Sequence, residues 1–154
     1  MSDTFRIVRS ITVDAPPSAV LPYLTDFHQW VHWSPWEDVD PDLSREYSGA
    51  ESGVGAKYAW SGNKKAGRGA MEIIRIDEPR EVEVRLDFEK PMKATNTVTF
   101  ELTPQGQATR VSWTMVGRQT IFSRVAGVFG IFDKLLGKDF EKGLGRLKAV
   151  TESR

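Results

Sequence analysis

Three groups of side chains in this sequence could do chemistry. His28 and His32 stand four apart with Asp26 close by. On one helix face, imidazoles at that spacing can hold a metal ion. The sequence places no further ligand, and Trp30, Val31 and Trp33 surround the pair. Two surface or rim histidines are therefore expected, with no metal site. Glu72 is a carboxylate within an apolar strand segment. If Ile74 and Ile76 point inward, Glu72 does too, and a buried carboxyl can serve as acid or base. If Met71 and Ile73 point inward instead, Glu72 is solvated, and this solvated or rim position is favoured. Arg9 raises the same question on the first strand and could pair with Glu72 if both faced inward. Asn96 is an inward amide between apolar neighbours. Such a group either bonds backbone or buried water, or orients a ligand carbonyl or hydroxyl. Gly53-x-Gly55 and Gly67-x-Gly69 neither open a helix nor carry Gly-Lys-Ser/Thr, so they read as hairpin turns rather than phosphate loops.

Composition narrows the classes that could use these residues. The 154 residues hold 21 Lys+Arg, 21 Asp+Glu and no Cys. A formally neutral chain lacks the basic face that displaces counterions from phosphates, which argues against nucleic acid as partner. The missing cysteines exclude disulfides, thiol catalysis and cysteine-based zinc sites. The first residues show no basic region followed by an apolar one, and no run approaches a membrane span. A soluble, cytoplasmic, one-domain protein without a cofactor is expected.

Local patterns supply the elements that must position the candidates. Thr4 to Val13 reads as a strand, with Phe5, Ile7, Ile11 and Val13 on one parity, broken by Arg9. Asp14-Ala-Pro-Pro17 stops it; Asp14 could cap, and Pro16 or Pro17 opens a short helix to about Leu24. Asp26 can cap a second short helix, Phe27 to about Val31, ended by Ser34-Pro35. Modest strands follow over Leu43–Tyr47 and around Ala56, Tyr58 and Trp60, with a polar loop at 61–65. Further strands run over Gly67–Ile76, over Val82–Phe88 with charges alternating, over Ala94–Leu102, and around Val111, Trp113 and Met115. Short turns without intervening helices imply an antiparallel meander of six to seven strands. Then the period changes. Phe122, Val125, Phe129, Phe132, Leu136, Phe140, Leu144 and Leu147 form an apolar helical stripe. Gly137 is the expected kink or break in it. A helix of some thirty residues spans ~45 Å, enough to cross the concave face of a curved sheet.

This order, together with several local strings, resembles the START/Bet v 1-like superfamily (SRPBCC), in its polyketide cyclase/dehydrase-like branch. The strings are Ile11-Thr-Val-Asp-Ala-Pro-Pro-Ser-Ala-Val20, Asp26-Phe-His-Gln-Trp30, Trp33-Ser-Pro-Trp36 and Gly143-Leu-Gly-Arg-Leu-Lys148. The resemblance covers nearly the whole chain. It implies an α+β helix-grip fold, with a curved antiparallel sheet wrapped around the C-terminal helix and two short helices after strand one. It also implies a cavity between sheet and helix.

On the parity above, Tyr58, Trp60, Asn96, Trp113 and Met115 face Phe129, Phe132, Leu136 and Phe140 of the helix, with Trp36 at the rim. An aromatic and thioether wall with few polar groups suits an apolar ligand. The leading expectation is a carrier or sensor of a small hydrophobic, lipid-, aromatic- or polyketide-like molecule. One alternative is a cyclase or dehydratase drawing on Glu72, Asn96, Arg9 or Tyr58. Another is a protein-interaction module with a vestigial cavity.

Overall fold

Among the described residues seven strands each pair antiparallel with their neighbours, and side chains alternate inward and outward along them except where the fourth carries a bulge. The computed structural model describes residues 4–37, 40–64, 66–90, 93–118 and 129–153; for Arg118 and residues 129–135 only the backbone is described. The strands are β1 (Thr4–Val13), β2 (Ser44–Gly49), β3 (Ala56–Ser61), β4 (Arg68–Asp77), β5 (Glu81–Lys90), β6 (Ala94–Gln105) and β7 (Ala108–Arg118). They form one open sheet in the order β1-β7-β6-β5-β4-β3-β2. The first and second strands are thus the two edges. The chain crosses between them through helix α1 (Pro17–Thr25) and a 3-10 helix (Phe27–His32). Helix α2 (Phe129–Glu152) closes the chain.

The caps differ in part from expectation. Asp26 caps the 3-10 helix through its carboxylate, which accepts from the His28 backbone N–H at 2.9 Å. Asp14 does not cap α1. The N-cap is Pro16, which has no side-chain bond to offer, and the Asp14 backbone N–H donates to Glu152 at 2.6 Å instead. At the other end of α1, two orphan carbonyls find indole donors: Trp33 Nε1 donates to Tyr23 O at 2.8 Å and Trp30 Nε1 to Leu24 O at 3.2 Å. The tryptophan cluster therefore fastens the short helices as well as filling space.

Inward residues of β1, β5, β6 and β7 make the core, including Ile7, Val84, Phe100 and Trp113, joined by Phe140, Leu144 and Leu147 of α2. The described helix packs on β1, α1 and the 3-10 helix. It also runs unbroken through Gly137. That glycine is a seat rather than a kink: a Cβ there would lie 2.0 Å from the Arg9 guanidinium. Arg9, inward on β1, lies against the helix backbone and bonds Glu141 one turn later, Nε to Oε2 at 3.1 Å. Phe122 and Val125 of the expected stripe lie outside the described residues.

Candidate functional site

The inner face has two ends of different construction. At the β7 end, Trp113 and Phe140 lie parallel, with centroids 4.2 Å apart and 2° between planes. Trp33 and Trp36 meet the Trp113 ring edge-on at 5.4 and 5.7 Å, and Phe100 tilts against it at 5.2 Å. Gly143 brings the helix backbone onto Pro35 and Trp113, leaving a Cβ only 2.8–3.0 Å from them. A cavity between sheet and helix is what the resemblance implies. At this end the rings occupy it. Met115 is buried beside Trp113, and Trp36 and Leu136 are half-buried at the seam. The side chains of Phe129 and Phe132 lie outside the described residues.

Toward β3 and β4 the same face is looser. Trp60 lies over Gly69, its cross-strand partner, where a Cβ would sit 2.6 Å from the ring. The Trp60 Nε1 donates to Ala66 O at 2.8 Å, and among the described residues its ring neighbours are Tyr58 and Phe88. Trp60, Phe88 and Met71 are only partly buried. Asn96, buried on β6, carries its amide over Gly117 of β7, its cross-strand partner. Gly69 thus lies within the strand expected over Gly67–Ile76, and of Gly67-x-Gly69 only Gly67 stands in the turn before it.

Glu72 belongs to the other side of the sheet. It pairs across β4–β5 with Arg85, whose guanidinium bonds it at 3.2 Å and Asp87 at 3.1 Å. A β-bulge between Ile73 and Arg75 explains why both sequence parities looked plausible. Ile73 is inward before the bulge and Ile76 after it, leaving Ile74 exposed. Glu72 and Arg9 therefore lie on opposite faces and cannot pair, and Glu72 is corrected as a catalytic candidate inside the fold.

A polar cluster that sequence reasoning missed stands on the inner side of β2 and β3. Glu37 accepts from Tyr58 Oη at 2.9 Å and from Arg45 Nε at 2.9 Å, and its backbone carbonyl accepts a second Arg45 bond at 2.8 Å. Burial first, then the Glu37 carboxylate, holds the Tyr58 phenol well above the ordinary tyrosine range. Glu37 sits in a turn, where no periodicity marks a face. Its position straight after Trp36 was the only available signal. His28 and His32 belong to a 3-10 helix, in which residues four apart diverge by about a third of a turn. Among the described residues, no three His, Cys, Asp or Glu converge as a metal site.

A bent antiparallel sheet around one long helix, with an apolar inner face, defines the helix-grip class of α+β domains. Solved structures share this fold. Protein CV1439 from Chromobacterium violaceum superposes with a TM-score of 0.67 at 16% identity, covering 99% of both chains. Protein MLL2253 from Mesorhizobium loti gives 0.68 at 16% identity over 97% of this chain and 98% of its own. DynU16, from the dynemicin biosynthetic locus, gives 0.64 at 20% identity; the match covers 99% of this chain but 48% of DynU16. Among curated proteins none matches. The family described as polyketide cyclase / dehydrase and lipid transport matches residues 4–152. The chain belongs to that family, whose fold suggests a hydrophobic-ligand-binding or cyclase role. Among the described residues, no helix is long and apolar enough to cross a membrane.

Proposed function

We propose that the protein binds a small apolar molecule bearing a hydrogen-bond acceptor, against the β3–β6 part of the inner face, as a carrier or sensor. The observation that carries this reading is the half-burial of Trp60, Met71 and Phe88 around the Asn96 strand, beside an end of the same face that is packed ring on ring. A wall of aromatic and thioether groups gains roughly 25 cal/mol per Å² of apolar surface it covers. One polar group on this part of the face can orient such a guest: Asn96, buried on β6, offers its amide, and a buried polar group left unmet costs ~1–3 kcal/mol.

A cyclase or dehydratase needs an acid–base pair facing its substrate. Glu72 is on the outer face, and on the inner side the Tyr58 hydroxyl and the Glu37 carboxylate are engaged with each other and with Arg45. That favours binding over turnover. The experiment is titration with N-phenyl-1-naphthylamine, a neutral apolar fluorophore, of wild type and of Trp60→Ala and Phe88→Ala variants shown by circular dichroism to be folded. Roughly tenfold weaker binding by each variant is expected; unchanged affinity in both would overturn the reading.

A further inference from the structure

A groove of about 470 Å³ opens between the 3-10 helix and the β2–β3 hairpin. That volume lies within the range that holds one small molecule. An imidazole in its lining is held on two sides. Asp26 Oδ1 accepts from the His28 backbone N–H at 2.9 Å and lies 2.8 Å from Nδ1 of the same residue. An ionised carboxylate can only accept, so Nδ1 faces it as the donor, and whenever the ring carries a single hydrogen Nε2 is left as an acceptor. Tyr47 stacks on one face of the imidazole, with centroids 4.2 Å apart and planes 20° off parallel. Half of the side chain, 51%, remains exposed.

The walls of the groove are anchored. The Gly53 N–H donates to Thr25 O at 2.7 Å, tying the hairpin to the end of α1. Gly49, at φ 70°, lets the hairpin close, since a Cβ there would stand 2.2 Å from Gly55 O. Asp26 and Glu51 oppose Lys57 along the lining, so the groove does not favour an anion.

We infer that this groove is a second binding site, for a neutral phenol that lies beside the His28–Tyr47 stack, edge to edge with the imidazole, and donates its hydroxyl hydrogen to His28 Nε2 in the plane of that ring. The Tyr47 stack holds the imidazole in place, and the hydroxyl supplies the donor that Nε2 can accept. This site stands apart from the inner-face reading, and either can fail without the other. Titration of 15N-labelled protein with 4-ethylphenol, followed by amide NMR shifts, tests it. Shifts are expected at His28, Tyr47 and the 48–52 segment. The methyl ether 4-ethylanisole, which cannot donate, should bind about tenfold more weakly, and His28→Phe, which keeps a stacking ring, should weaken the phenol by a similar factor. Equal affinity for phenol and ether, an unaffected His28→Phe, or shifts confined to Trp60 and Asn96 would each overturn the inference.

Discussion

On β7, Trp113 has a helix ring flat against it, two further indoles edge-on and Phe100 beside it. On β3, Trp60 has a glycine beneath it and, among the described residues, ring neighbours only from the sheet. Both indoles are inward on antiparallel strands of one sheet, and sequence parity treats them alike. The difference lies in what faces them. Helix α2 rests on the β1 side, and the short helices bring Trp33 and Trp36 to the same place. One end of the face is thus a core in the ordinary sense, and the other keeps its rings partly accessible. In this protein an aromatic wall is two things at once, and residue type alone does not separate them.

The largest expected effect breaks the packed end. Trp113→Ala removes a buried ring held by four aromatic neighbours and should cost about 3–5 kcal/mol. For a chain of this length that lowers Tm by on the order of 10 °C, measurable by calorimetry. The corresponding Trp60→Ala change should move Tm far less while weakening the apolar probe. If Trp113→Ala left Tm nearly unchanged, the distinction between the two ends would be lost.

Much of this was legible beforehand. Strand alternation gave the inner residues of β1, β3, β5, β6 and β7, because each buries one face and period two is then obligatory. The cap at Asp26 and the apolar stripe of α2 were visible for equally local reasons. What escaped depended on tertiary geometry. The bulge after Ile73 switches parity within a strand, so no single alternation could settle Glu72. The role of Gly137 is set by Arg9, distant in sequence, and a glycine in a helix otherwise reads as a weak point. Glu37 meets Arg45 and Tyr58 only once the turn after Trp36 is folded.

The Arg9–Gly137 contact sharpens the comparison, since it seats the helix on β1 and so fixes which end is packed. Gly137→Ala should destabilise by no more than about 1 kcal/mol, because the new methyl displaces the flexible Arg9 guanidinium from its seat and from Glu141, which offsets what a helix gains from alanine. In an Arg9→Ala background that obstacle is gone. The same substitution should then be neutral or stabilising by up to about 1 kcal/mol, the ordinary preference of a helix for alanine. Denaturant unfolding of the four proteins in this cycle reads the coupling directly. Equal effects of Gly137→Ala in both backgrounds would mean that Arg9 does not occupy the seat.

The smallest effect tests the outer face against both inner ends. Glu72 shares Arg85 with Asp87, and the Arg85 and Glu72 side chains are 49% and 26% exposed. Water and the second carboxylate can take over much of what a lost partner supplied, so Glu72→Gln should change stability by no more than about 0.5 kcal/mol. Its affinity for the apolar probe should equal that of wild type, because the side chain lies across the sheet from the wall that Trp60 helps to build. A Glu72→Gln protein that unfolded at the wild-type denaturant midpoint yet bound the probe several-fold more weakly would place the guest on the charged side of the sheet. The contrast between the two inner ends would then say nothing about function.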